Sequence, residues 1–301
     1  MKLALTGGTG FVGGRLLRLA VAEGHQLRAL TRRPQQDERG VDWITGALDH
    51  RETLQRLVEG CDAVIHVAGV LKARTRADFD AGNVTGTVNM LAAATAGGVH
   101  RFVHVSSLAA REPELSLYGA SKARAERIVM DSGLDWAIVR PPAVYGPGDA
   151  EMLDLFKAAR GGFVPLPPRG RLSIIHADDL ARLLLALAAP DAPHRILLEP
   201  DDGQPRGYSH KEFARAIGAA VERRPLSVSI PAPLLKLGAR FDQLLRRGGA
   251  KLTPDRAAYF CHEDWVADPA KRPPADLWQP RIGASSGMAE TAAWYTAQGW
   301  L

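Results

Sequence analysis

The sequence predicts an α/β fold: a doubly wound parallel sheet with a smaller, mostly helical C-terminal part. Three observations carry this. The chain opens on a short apolar strand that passes through a glycine turn into an apolar-periodic helix, MKLALTGGTGFVGG, Met1 to Gly14. Short apolar runs then alternate with helical-period stretches as far as about residue 148, the alternation that builds a parallel sheet from strand–helix–strand units. Beyond that point strands become sparse while prolines and helical stretches increase. Residues 1–148 are therefore expected to form the core. Residues 149–301 are expected to form mainly the C-terminal part, with some segments returning to the core.

Composition sets the outer bounds. A chain of 301 residues with 46% hydrophobic residues suffices for one large α/β domain or a domain with an appendage. The net charge of +5 comes from 38 basic and 33 acidic residues that are interspersed. No basic run carries interleaved aromatics, so nucleic acid is not an expected partner. Cys61 and Cys261 lie far apart without metal-ligand spacing, which points to a reducing compartment, no disulfide framework and no metal. The chain runs at once into a strand, so no signal peptide is expected. The most apolar helix, Leu180 to Ala189, is too short to span a bilayer. The expectation is a cytoplasmic protein with no integral membrane segment.

In order, Lys2–Thr6 reads as a buried strand and the helix begins at Phe11. Gly7, Gly10 and Gly13 recur every third residue between them. Gly7 permits a tight turn, Gly10 lets the backbone approach a diphosphate, and Gly13 lets helix and strand pack closely. The helix N-terminus offers free N–H groups to the phosphates. In this context the triplet marks dinucleotide binding, with Thr6, Gly7, Gly10, Phe11, Val12 and Gly13 as contacts. A second strand, Gln26–Thr31, ends on Thr31-Arg32-Arg33, with no acid until Asp37. An acid here would bind a ribose 2′-hydroxyl, whereas arginine accommodates a 2′-phosphate. NADP(H) is therefore favoured, with NAD possible.

Val41–Thr45 is a third strand, followed by Gly46-Ala47-Leu48-Asp49. Leu48 joins the cofactor set, and Asp49 reads as the N-cap of a helix over Arg51–Val58. A fourth strand, Asp62–His66, ends on Val67-Ala68-Gly69, small residues where an open α/β sheet binds ligands. Val70–Asp80 reads as a polar loop and Asn83–Ala96 as a long helix, with Asn83 a structural hydrogen-bonder. A fifth strand, Arg101–Val105, carries Val105 against the cofactor and ends on Ser106-Ser107. Tyr118 and Lys122 follow, four apart and so on one helix face. An ammonium beside a phenol favours the phenolate, and a three-unit drop in pKa requires about 4 kcal/mol. Tyr118 then becomes a proton donor or acceptor for a carbonyl/alcohol pair, with Ser107 on the same oxygen and Lys122 on the nicotinamide ribose. A sixth strand, Asp135–Arg140, continues as Pro-Pro-Ala-Val-Tyr-Gly-Pro-Gly148.

The opening TGGTGFVG, NVTGTVNMLAAA from Asn83, Tyr118-Gly-Ala-Ser-Lys122 and Arg140-Pro-Pro-Ala-Val-Tyr-Gly-Pro together resemble the extended (atypical) short-chain dehydrogenases/reductases of the NAD-dependent epimerase/dehydratase superfamily. The resemblance covers essentially the whole chain. It implies a Rossmann core, a catalytic Ser107 (Ser106 as fallback) with Tyr118 and Lys122, and backbone contacts to the nicotinamide from Pro141, Pro142, Ala143 and Val144. It also implies a homodimer through the helices Asn83–Ala96 and Tyr118–Asp131. His176 and Asp179, in Arg171–Asp179, are similar to a structural pair of the family. Two departures stand out. Ala47 replaces the Asp expected to approach the adenine, and only ten residues, 108–117, separate Ser107 from Tyr118. That short loop leaves displacement of the serine, and an inactive site, open.

The segments LTPDRAAYFCHEDWVAD and ETAAWYTAQGWL resemble reductases of the dihydroflavonol-reductase and 3β-hydroxysteroid-dehydrogenase type. The first reading is thus an NADP(H)-dependent oxidoreductase acting on a small hydrophobic carbonyl or alcohol. An NAD-dependent nucleotide-sugar epimerase or dehydratase is the alternative, with Arg160, Arg169 and Arg171 as candidates for a nucleotide diphosphate. A second alternative is a non-catalytic scaffold resembling the accessory subunit of respiratory complex I. The stretch Ile230–Arg247 is basic and amphipathic; it reads as a lid or packed helix, with a membrane-surface helix as the other possibility.

Overall fold

The computed structural model describes residues 1–235, 237–239 and 254–301. Of the basic stretch Ile230–Arg247, positions 236 and 240–247 lie outside the described residues. The chain divides into two compact units: Met1–Pro141 with Ala177–Pro200 and Pro273–Gln279, and Pro142–His176 with Asp201–Arg272 and Pro280–Leu301. The first segment of that first unit runs to Pro141, where the sequence reading put the division after residue 148.

The first unit is built on a parallel sheet. Its elements begin β1 (Lys2–Thr6), α1 (Phe11–Ala22), β2 (Gln26–Thr31), β3 (Val41–Thr45), α2 (Arg51–Val58) and β4 (Ala63–His66). They continue with α3 (Arg76–Phe79), α4 (Gly86–Ala96), β5 (Arg101–Val105), α5 (Leu117–Met130) and β6 (Asp135–Val139). The strand Ile196–Leu198 returns beside β6, giving a seven-stranded order of Ile196–Leu198, β6, β5, β4, β1, β2, β3. β4 and β5 are buried along their whole length, as continuous apolar strands covered on both faces must be. β1 pairs with β2 on one side and with β4 on the other. The order reverses there, and the crevice outside the strand ends at such a point is where this architecture binds ligands. One face of the sheet packs Val64, Phe102 and Ile138 against Leu54 and Leu57 of α2 and Met90 and Leu91 of α4. α1 packs on the helix Ala177–Ala186.

Two local readings are corrected. Asp49 does not cap α2: the N-cap is His50, without a side-chain cap bond. Asp49 sits one residue too early, with its carboxylate 3.8 Å from the exposed His50 ring. Nor is Val70–Asp80 all loop. Thr75 and Asp78 form a reciprocal capping box that starts α3, and a π-helical turn over Asp80–Thr85 joins it to α4. The signal was Thr-x-x-Asp at the head of the segment.

The second unit holds three small sheets whose strands have only two to four residues. Ala143–Tyr145 pairs with Ile174–His176. Arg171–Leu172 lies between Tyr208–Ser209 and Asp264–Trp265. Phe163–Leu166 pairs in parallel with Leu226–Ser229. Its core joins Phe156, Ile217, Met288 and Tyr295. Ser209 and Glu212 form the capping box of the helix His210–Ala220, as expected for a Ser cap. No helix among the described residues is long and apolar enough to cross a membrane.

Candidate active site

The glycine turn is built as a cradle. Gly7 has φ +77°, and a Cβ there would lie 2.8 Å from the backbone nitrogen of Ala68. At Gly13 a Cβ would sit 2.0 Å from the carbonyl oxygen of Gly7, so α1 can touch the turn only through glycine. Gly10 differs: a Cβ would meet only Gly7 O, at 3.2 Å. Gly10 is the N-cap of α1, which has no side-chain cap bond and no acid in its first turn. Neither the cap nor the first turn of the helix therefore supplies an acceptor to its leading N–H groups, and donors of this kind in a concave turn fit a diphosphate. Thr6 ties the two strand ends that flank the turn. Its hydroxyl oxygen accepts from Ala68 N at 3.2 Å and lies 2.8 Å from His66 Nδ1. Phe11 and Val12 are partly buried in the first turn of α1, and Val67 and Ala68 are half-buried beyond β4.

At the end of β2 the Thr31 hydroxyl donates to Arg33 O at 2.6 Å and accepts from Arg33 N at 3.3 Å. This local turn leaves the side chains of Arg32 and Arg33 exposed. No carboxylate among the described residues pairs with them. Leu48 packs on α4, where a Cβ at Gly86 would come within 2.7 Å of its Cδ1. Asn89 Nδ2 donates to Leu48 O at 2.8 Å.

Ser107, Tyr118 and Lys122 come together. The ten-residue connection folds into two 3-10 turns, Leu108–Arg111 and Pro113–Leu115, packed on α5. Gly119 makes that packing possible, since a Cβ there would be 2.6 Å from Ala109 O. Ser107 caps the first turn, accepting from Ala109 N at 3.2 Å, and its side chain hydrogen-bonds Tyr118. The short loop therefore brings Ser107 to the phenol, and Ser106 turns elsewhere. Ser116 caps α5 through Gly119 N at 2.9 Å, and Phe79 lies against the Tyr118 ring with centroids 6.2 Å apart. Lys122 is buried and donates to Val105 O at 2.7 Å. A Cβ at Gly69 would lie 3.7 Å from Lys122 Nζ and 3.0 Å from Asn83 Oδ1, so the Ala68-Gly69 floor runs beside the lysine. Asn83, in the π-helical turn, holds Val70 N and O and donates to Ser121 Oγ at 2.8 Å.

The electrostatics reverse one expectation. Burial pushes the Tyr118 phenol up to about 12, against a smaller lowering by its bond to Ser107. Desolvation of the phenol thus outweighs the lowering. Burial also pulls Lys122 down to about 8, with Glu126 opposing the shift. His66 is driven down to about 3 by burial and then by the charge of Lys122. His104, stacked on it at 5.6 Å, is likewise lowered. The lysine is thus the positive centre of the site.

Sequence reasoning missed what lies beneath. Glu126, one turn past Lys122, accepts from Ser106 Oγ at 2.5 Å and from Arg140 Nε and Nη2 at 2.8 and 2.6 Å. Arg140 also donates to the buried Glu199 at 3.2 Å. The Lys122-x-x-x-Glu126 spacing was visible, but the partners on other strands were not. Pro141 ends the first segment of the first unit, and its carbonyl oxygen accepts from Leu108 N at 3.0 Å. Pro142, Ala143 and Val144 belong to the second unit, the last two in a strand paired with Ile174–Ile175.

The family model described as NAD(P)H-binding matches residues 7–189. The chain is 38% identical over 308 residues to a ceramide reductase of Caulobacter vibrioides, covering 99% of this chain and 96% of that one. It is 30% identical over 331 residues to a 2-alkyl-3-oxoalkanoate reductase of Stenotrophomonas maltophilia, covering 97% and 99%. Among solved structures, gox2253 superposes with a TM-score of 0.77 at 24% identity, covering 100% and 99%, a likeness of fold. By its glycine cradle, its seven-stranded sheet and these relatives, the chain belongs to the NAD(P)H-binding enzymes of the extended short-chain dehydrogenase/reductase superfamily.

Proposed function

We propose that this protein reduces a ketone carried on a long hydrocarbon chain, using NADPH, with Tyr118 as the proton donor. The observation that carries the reading is the meeting of Ser107, Tyr118 and Lys122 beside the Ala68-Gly69 floor. The hydrocarbon part of the proposal comes from two relatives named as reductases of ceramide and of 2-alkyl-3-oxoalkanoate. Thr6, Gly7, Gly10 and Gly13 would hold the diphosphate, Arg32 and Arg33 the 2′-phosphate, and Lys122 the ribose. The bound dinucleotide supplies the hydride equivalent.

The protein's own groups handle the oxygen. Ser107, fixed by Ala109 N–H, turns its hydroxyl hydrogen from Tyr118 to the carbonyl oxygen when substrate binds and polarises it. As negative charge develops there, Tyr118 gives up its phenolic proton, and the charge of Lys122 steadies the phenolate that remains. A phenol raised to about 12 is fully protonated at neutral pH, which suits donation and hence reduction. Solvent returns the proton.

The test is Tyr118→Phe assayed with NADPH and a long-chain 3-oxo ester. Cofactor affinity should stay within about twofold, because the lysine bond to Val105 O does not involve the phenol. Turnover should fall by about 10² or more, the scale of general acid catalysis. Unchanged turnover refutes the role of Tyr118. A retained NAD and epimerisation of a nucleotide sugar would establish the alternative reading.

A further inference from the structure

In the two-stranded sheet of Phe163–Leu166 and Leu226–Ser229, the second strand has its polarity inverted. Strands normally turn their apolar set toward the core, and register fixes which set that is. In Phe163–Leu166 the alternation is regular, with Val164 and Leu166 buried in the core. The partner strand reads Leu226-Ser-Val-Ser229, and parallel register places Leu226 beside Phe163 and Val228 beside Pro165. The serines thus share the face of Val164 and Leu166, and the apolar residues face outward. Leu226 is 67% exposed, Phe163 48% and Val228 42%. The chain leaves this sheet at Ile230, whose N–H donates to Leu166 O at 2.8 Å, and beyond it Leu234 and Leu237 are exposed. Single exposed apolar residues are ordinary, but a continuous row marks an interaction surface.

Charge identifies the occupant. Because the strands are parallel, their N-terminal ends lie together, joined by Leu226 N donating to Gly162 O at 2.8 Å. Arg160 precedes one strand, and Arg223 and Arg224 precede the other. All three are exposed and none pairs with a carboxylate among the described residues. The opposite end, Ser229 to Leu235 and Leu166 to Pro168, has no acid at all. A second copy seated with the opposite end here would offer these arginines no counter-charge, and one seated with like ends together would set three arginines against three, with only the exposed Glu222 of each copy between them. Phospholipid phosphates would supply that counter-charge, and the bilayer just below them accepts leucine, valine and phenylalanine.

We infer that the outward face of Phe163–Leu166 and Leu226–Ser229, with its terminal arginines, docks the protein on the surface of an anionic phospholipid bilayer. The attachment is peripheral: side chains enter the headgroup boundary and no segment crosses. This goes beyond the proposed reduction and depends on no step of it.

The experiment is flotation of the full chain with vesicles of phosphatidylcholine, with and without phosphatidylglycerol. The wild-type protein is expected to partition onto the phosphatidylglycerol vesicles far more than onto phosphatidylcholine alone. Arg223→Ala with Arg224→Ala should weaken that partitioning about thirtyfold, at about fivefold per arginine near an anionic surface. Leu226→Ser with Val228→Ser should weaken it more than about tenfold through lost apolar contact. Both variants replace exposed side chains, so their thermal midpoints should match the wild type. Absence of wild-type partitioning overturns the inference, as does unchanged partitioning in both variants. A wild-type dimer that Leu226→Ser with Val228→Ser converts to monomer, without vesicle binding, also overturns it and assigns the face to a second copy.

Discussion

Gly10 and Gly13 lie three residues apart in one turn, and alanine should act mainly on binding at the first and mainly on stability at the second. At Gly13 the new Cβ would stand 2.0 Å from Gly7 O and 2.6 Å from Gly7 C. That is about 1.5 Å inside ordinary contact, and both neighbours are backbone, so the turn itself must shift. Overpacking of this kind costs about 3 kcal/mol at the upper end, and alanine in a helix returns about 1 kcal/mol over glycine. The expected net loss is about 2 kcal/mol of stability, together with loss of the cradle. At Gly10, φ is −87° and ψ 175°, which alanine adopts freely, and the one neighbour is at 3.2 Å. The fold should lose about 1 kcal/mol or less, mostly from a poorer N-cap. Dinucleotide affinity should nevertheless fall at least about tenfold, because the Cβ occupies the approach of the diphosphate. Urea unfolding without cofactor reads the first effect, and a fluorescence titration with NADPH reads the second. Unchanged stability in Gly13→Ala would refute the packing argument. Wild-type affinity in Gly10→Ala would mean that the diphosphate does not run along this turn.

Arg32→Ala with Arg33→Ala should narrow the preference for NADPH over NADH, read as the ratio of the two dissociation constants; an unchanged ratio removes both residues from phosphate binding. The value of about 8 for Lys122 sets a pH dependence, since the lysine is charged below it and neutral above. Because Tyr118 stays protonated to about 12, kcat/KM for reduction should decline as pH rises through about 8, and Lys122→Arg should shift that decline upward; a wild-type profile flat through this range contradicts the assignment. Glu126→Gln should cost about 3 kcal/mol in a urea melt, since it strips a buried carboxylate from Arg140 and Ser106. A loss below about 1 kcal/mol would show that Glu199 alone satisfies the guanidinium.

How much of this was legible depends on how local each feature is. The glycine turn, the first six strands and the Tyr118–Lys122 face follow from neighbours in sequence, where turn chemistry and periodicity act. The Thr75–Asp78 capping box was equally local, and it was overlooked because the segment carries little apolar pattern. The Glu126–Arg140–Glu199 cluster was not readable, because its members come from α5, the end of β6 and the end of the strand Ile196–Leu198. Only the sheet order brings them together. The direction of the Tyr118 shift was missed for a related reason. Helical spacing shows that a lysine is near, whereas desolvation depends on everything else packed around the phenol. The strands of two to four residues in the second unit are too short for an alternation to be counted, and the exposed row at Leu226 and Val228 emerges only once register is known.

The most direct measurement is a side-by-side titration of the purified protein with NADPH and NADH, read by nicotinamide fluorescence. The account predicts saturable binding of both with a clear preference for NADPH. Binding of neither, or tight retention of NADH with no preference for the phosphorylated form, would contradict it.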